Sequence, residues 1–339
     1  MAVDAGKPER QSCAHATQSP PTRSGGGGAD VKIGLAVDPT CDLPLAFLEK
    51  HDVTVLPGRI RFGDLESLDR RDPRETMGFY RRYVADRSAD VATGPVAADE
   101  LRELFLQRLV TRHDRVLVLC RSTARGGSFE RATQASYGVL KRYRDIRRQA
   151  GLDPAFALRV VDLGCVGPGE GVVAHYAVRR IESSPPFDAL RRAVEEAGSR
   201  TMTWLVPQDS AYLRRPAGRH PPLHPGGWRY LGSRLSGRLP VLALHHGQAR
   251  AGALMADFQA GVEYVFERAR EAVGAGLSVS AIVMSFGGDP RIIRNLAAYQ
   301  AFEGFAADRK LDLQLSVMSA SLAVQVGPGA FAAAWTAGD

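Results

Sequence analysis

Cysteine is scarce in this chain of 339 residues: the four, Cys13, Cys41, Cys120 and Cys165, lie far apart and form no CxxC pair. That spacing excludes a zinc knuckle and a disulfide framework, and it fits a reducing cytoplasm. Lysine is rarer than the charge suggests. The formal net charge is +7, yet lysine occupies only five positions and arginine supplies the remaining positive charge, spread along the whole chain. A scattered arginine excess without a recognition motif does not describe a nucleic-acid binder. Long apolar runs are missing too. No window approaches the roughly 20 uninterrupted apolar residues of a membrane helix, so the chain is not expected to be integral to a membrane. Residues 1–29 carry Lys7, Arg10, Pro20, Pro21 and the run Gly25 to Gly28 but no apolar h-region, and read as a disordered leader rather than a signal peptide.

Catalytic signatures are also absent. No serine stands in a Gly-x-Ser-x-Gly elbow, and no lysine follows a glycine loop as in a Walker motif. His220, His224 and the pair His245-His246 have no neighbouring cysteine or carboxylate, which leaves them without a metal role. Asp38 and Asp42 read as a strand-end hydrogen bonder and a helix cap in preference to magnesium ligands. No catalytic residue, metal or cofactor is assigned.

What is present is alternation. Val31–Val37, Arg115–Cys120 and Leu158–Val161 are short apolar runs of the kind that form parallel strands buried on both faces. Helical patterns stand between them, around Leu45 to His51, Phe79 to Tyr83, Ala98 to Thr111 and from Phe129 onward. Val53–Phe62 reads as one strand bent at Pro57, and Thr93-Gly94-Pro95 as a turn. Strands are expected again at Met202–Val206, Leu239–Leu244, Ser278–Phe286 and Leu311–Met318, with helices over 252–273 and 291–307. The class is α/β, with an N-terminal domain over 30–198 built on a mostly parallel sheet flanked by helices and a second α/β domain over 199–339.

Polar loops follow several strand ends, which is where parallel sheets bind ligands. Thr40, Thr93, Ser122, Thr123 and Ser128 are expected to converge there. Gly126-Gly127-Ser128, just ahead of a helix, offers free amides to an anion; the plainer reading is a glycine turn with Ser128 as a cap. Near the other end of the chain stands Val326-Gly327-Pro328-Gly329, a turn that requires backbone pressed against a neighbour.

Taken in order, these segments resemble the DegV family of fatty-acid-binding proteins. Asp38-Pro39-Thr40-Cys41-Asp42-Leu43-Pro44 is similar to that family's Asp-Ser-Thr-Ala-Asp-Leu-Pro opening. Ala92-Thr93-Gly94-Pro95 stands where the family has Thr-Ser-Gln-Pro, and the loop 121–128 where it has Ser-Ser-x-x-Ser-Gly-Thr. Asp162 to Gly171 resembles its glycine segment, and Val326 to Gly329 closes the pattern.

The resemblance implies a ligand tunnel between the two domains that holds one long-chain fatty acid. Its carboxylate would be bound near Thr93, Ser122, Thr123, Gly126, Gly127, Ser128, Gln325 and Gly327. It also implies presentation of that carboxylate to a separate fatty acid kinase subunit, with Arg219 as the partner-binding residue. Two of the family's hydroxyls are missing, at Ala92 and Gly126, and Gln325 replaces its histidine. The alternative is therefore an interaction or regulatory protein of the same fold that has lost the acyl-carrier role or binds another amphiphile.

Overall fold

The computed structural model describes residues 31–85, 90–214, 223 and 237–338. The leader, Arg219, His220 and His224 lie outside them. The described residues form one compact unit. After β1 (Ile33–Val37) come α1 (Leu45–Lys50), β2 (Thr54–Val55), β3 (Gly58–Phe62), β4 (Leu65–Asp69), α2 (Pro73–Ala85) and β5 (Val91–Pro95). They are followed by α3 (Ala98–Leu104), which runs into a π turn at Phe105–Leu109, β6 (Arg115–Cys120), α4 (Ser128–Val139), α5 (Tyr143–Gln149) and β7 (Ala157–Asp162). Two helices, α6 (Pro168–Ile181) and α7 (Phe187–Arg200), lead to β8 (Thr201–Val206), β9 (Leu239–His245), β10 (Gln248–Met255) and α8 (Phe258–Ala275). The last described elements are β11 (Ala281–Phe286), α9 (Arg291–Arg294), α10 (Ala297–Asp308), β12 (Asp312–Val317), α11 (Ala320–Val326) and β13 (Phe331–Thr336).

Among the described residues the strands form three sheets. The first, in the order β2-β1-β6-β7, is wholly parallel, as its continuous apolar strands require. A small antiparallel sheet, β4-β3-β5, stands beside it. The third, β10-β9-β8-β13-β11-β12, is antiparallel except for the β11–β12 pair. Helix α6 is buried between the first and third sheets and unites them in one core with Leu35, Val37, Leu117, Leu119, Val283 and Ala334. Its glycines are spacers: a Cβ on Gly171 would lie 2.9 Å from Val283 Cγ1 and 3.4 Å from Leu43 Cγ.

The structure corrects several local expectations. The strand read over Val53–Phe62 breaks at Leu56-Pro57, and its two pieces belong to different sheets; proline offers no amide hydrogen to continue the first ladder. Thr93-Gly94-Pro95 is strand, not turn. It lies on the edge of the small sheet, where glycine and proline are tolerated because one side of the backbone is unpaired. Helix α8 starts at Phe258 rather than Gly252, since Gln248–Met255 folds back on β9 through His246 and Gly247, both at positive φ. Asp257 is its cap, accepting a hydrogen bond from the Ala260 amide at 2.8 Å. Asp42 caps nothing: Pro44 holds the N-cap position of α1, without a side-chain hydrogen bond.

Candidate functional site

The opening motif is anchored by a buried carboxyl. Asp38, at the end of β1, sends its amide to Leu119 O and to Glu170 Oε1, both at 3.0 Å, while its Oδ1 accepts from the Thr40 amide at 2.9 Å. Thr40 Oγ1 stands 2.8 Å from Asp38 Oδ1 and 2.7 Å from Glu170 Oε2. One hydroxyl has one proton, so it cannot donate to both. The pattern closes if Glu170 is the neutral acid and donates to Thr40, which donates to Asp38. Burial, reinforced by the Asp38 charge, pushes the Glu170 pKa well above the ordinary glutamate range and favours that form.

Arg121, at the end of the adjacent strand β6, is 1% exposed. Its Nε lies 3.6 Å from Asp38 Oδ2, an ion pair without a hydrogen bond, and neither Nε nor Nη1 has a hydrogen-bond acceptor. Gly126 faces this guanidinium; a Cβ there would be 2.7 Å from Arg121 Cζ.

A second charged set ties the two ends of the chain together. Asp42 Oδ1 accepts from the Ser319 amide at 2.8 Å and lies 3.3 Å from Arg71 Nη1. Ser316 Oγ donates to Asp42 O at 2.9 Å. Burial raises the Asp42 pKa, opposed by Arg71. Ser319 caps α11 through Leu322 N, and that helix ends in Val326-Gly327-Pro328-Gly329. Gly327 and Gly329 both have positive φ, at 87° and 75°, and a Cβ on Gly329 would lie 3.0 Å from Gln208 Cβ. This is the close backbone approach that the glycines implied.

The hydroxyls divide by environment. Thr93 Oγ1 on β5 and Ser128 Oγ at the start of α4 are buried with no hydrogen-bond partner. Pro95, on the same face of β5 as Thr93, comes within 3.9 Å of a Cβ built on Gly127. Gly126, Gly127, Ser128, Thr93 and Arg121 therefore form one neighbourhood. Ser122 is buried against Gly247, in the turn between β9 and β10. Thr123 is exposed and its amide donates to Asp162 Oδ2 at 3.3 Å. Gln325 is buried on α11, which packs against β5, and its amide makes only a 3.4 Å bond within its own helix to Ser321 O. Gly327 abuts the Tyr212 ring.

A cavity of about 680 Å³ lies against the small sheet, lined by Ile60, Phe62, Leu65, Leu68 and Phe79, with Asp72, Glu75, Arg82 and other charged groups. Ile60 is the cross-strand partner of Thr93, so the two side chains share a sheet face. A second cavity, of about 670 Å³, runs between α1, α2 and the end of β12 under Arg71, Arg81, Arg291 and Arg294. Neither is lined by Thr93, Ser128 or Gln325 themselves.

Sequence reasoning places Arg121 in a loop and gives Glu170 and Arg71 no role. For Arg121 there is one signal, its position directly after β6, an apolar strand buried on both faces.

A parallel sheet and a mixed sheet sharing one buried helix, with a small antiparallel sheet beside them and unpartnered hydroxyls at a strand end and a helix start, define an α/β protein with an internal polar site. The model of the DegV family, described as uncharacterised proteins, matches residues 32–338. The chain belongs to the DegV family. A DegV domain-containing protein of Xanthomonas axonopodis pv. citri is 32% identical over 310 residues, 91% of this chain and 98% of the relative. Among solved structures, a stearic acid-binding protein of Eubacterium ventriosum aligns with a TM-score of 0.72 at 20% identity, covering 90% of this chain and 98% of that one. A DegV lipid binding protein of Thermotoga maritima aligns with a TM-score of 0.70 at 20% identity and the same coverage. Among the described residues no helix is long and apolar enough to cross a membrane.

Proposed function

We propose that this protein binds one long-chain fatty acid, with the carboxylate held at the Thr93, Gly126 to Ser128 neighbourhood and the acyl chain directed along the small sheet. One observation carries the reading: two hydroxyls on neighbouring elements, Thr93 and Ser128, are buried without any partner inside the protein. A buried polar group without a partner costs about 1 to 3 kcal/mol, and an acceptor such as a carboxylate removes that cost. The cavity beside Ile60 supports the placement of the chain, since its volume falls in the usual range for small-ligand pockets. Each buried methylene contributes about 0.8 kcal/mol, so an acyl chain gives affinity without a charged contact at its far end. The lipid-binding names carried by solved DegV structures support the same ligand class.

Presentation of the carboxylate to a separate kinase subunit is the finer part of this proposal. Titration of lipid-free protein with a fluorescent fatty acid tests the ligand. Saturation at one equivalent is expected, weakened in Thr93→Ala and in Ser128→Ala; no saturable binding contradicts the reading.

A further inference from the structure

Arg121 and Arg147 are the largest fully buried side chains among the described residues, and Arg147 has hydrogen-bond acceptors for its guanidinium where Arg121 has few. Taking a guanidinium out of water costs several kcal/mol unless its donors are met, and in Arg121 two of them, Nε and Nη1, are not. Its recorded ion pair, with Asp38, is too long for a hydrogen bond at 3.6 Å. The carboxyl oxygens of Glu170 are engaged by the Asp38 amide and by Thr40 Oγ1, and burial raises its pKa. The loop has made room for the group. Gly126 is extended, with φ 169° and ψ 162°, a conformation any residue adopts, so glycine serves here for space and not for freedom. Two positions beyond Gly126 in the same loop stands Ser128, whose hydroxyl, like that of Thr93 on β5, is buried without a partner. Against one unpartnered acceptor, Asp38 Oδ2, stand two guanidinium donors and two hydroxyls, all buried, and such an excess of donors describes a site for an anion.

We infer that Arg121 is the charged anchor for the ligand's ionised carboxylate, and that it sets a preference for acids over uncharged lipids of equal chain length. The inference rests on the lipid-binding reading above. Asp38 steadies the guanidinium from the Nε side, and Nη1 is left for the ligand. A guanidinium N–H gives a carboxylate oxygen a charge-assisted hydrogen bond, which a neutral hydroxyl does not. The departure from the family pattern at position 126 then has a physical reason, since a serine there would run into the guanidinium.

The test titrates lipid-free protein with oleate and with oleyl alcohol. Wild type is expected to favour oleate by about ten- to a hundredfold, the effect of a charge-assisted hydrogen bond. Arg121→Met brings that ratio close to one by loss of oleate affinity. Because this change strands Asp38 in the interior, Arg121→Met/Asp38→Asn is measured beside it, with a thermal transition to establish folding. Gly126→Ala, which crowds the guanidinium and removes no charge, should lower the ratio by itself. Folded variants that all keep the wild-type ratio overturn the inference and leave Arg121 as the counter-ion of Asp38 alone. Wild type that binds acid and alcohol equally also overturns it, while the lipid-binding reading stands. Wild type that binds neither removes both.

Discussion

Single residues decide the chemistry here, and Glu170 shows how. A glutamate whose folded pKa is raised binds its proton more tightly in the native state than in the unfolded chain. Its stabilising contribution is complete below the unfolded value near 4.5 and is lost as the pH climbs toward the raised folded value. Glu170→Gln keeps a donor toward Thr40 and carries no titration. Melting temperatures of wild type and variant should therefore diverge from pH 5 to pH 8, with the variant gaining relative stability by up to about 1.4 kcal/mol per pH unit. Parallel curves would show that Glu170 does not titrate anomalously. Thr93→Ala and Ser128→Ala belong to the same scale. Each removes a buried hydroxyl that has no partner in the protein. Each is expected to weaken fatty acid binding by about 1 to 3 kcal/mol in a calorimetric titration while leaving the melting temperature of the lipid-free protein unchanged or slightly higher. Sequence reasoning proposes Thr93 from the family's spacing and Ser128 from a glycine loop ahead of a helix. It does not single out Arg121 and Glu170, because a charged residue in a strand end or helix start looks like a solvated one until burial is known.

At the level of elements, periodicity located most strands and helices of the parallel sheet, since a strand buried on both faces has few other readings. It failed where long-range pairing overrode local signals. Phe331–Thr336 is rich in alanine and has little strand propensity of its own, yet it becomes β13 at the centre of the third sheet because β8 and β11 clasp it from both sides. Gly252–Met255, the start of the expected helix, is instead the end of β10, held by its antiparallel pairing with β9. Helix α6 is the element on which both sheets depend. Gly171→Ala would drive a methyl group into Val283 and Leu43 at a packed junction, and we expect a loss of about 1 to 3 kcal/mol in chemical denaturation. A neutral result would mean that α6 shifts freely between the sheets.

Across the whole molecule, the two ends of the chain are joined at Asp42, whose side chain meets the Ser319 amide and whose carbonyl accepts from Ser316. The opening motif and the closing Val-Gly-Pro-Gly turn therefore belong to one structural frame. The fold and the family were legible because that frame is spread over many ordered positions. The polar site was less so, because it depends on which buried donors find acceptors, and burial depends on the packing of distant elements. Native mass spectrometry of freshly purified protein, followed by organic extraction, tests the central claim most directly. The account predicts close to one acyl chain per protein molecule, recovered as a free fatty acid, and exchange for an added fatty acid after delipidation. Protein that arrives empty and stays empty when offered long-chain fatty acids would contradict it.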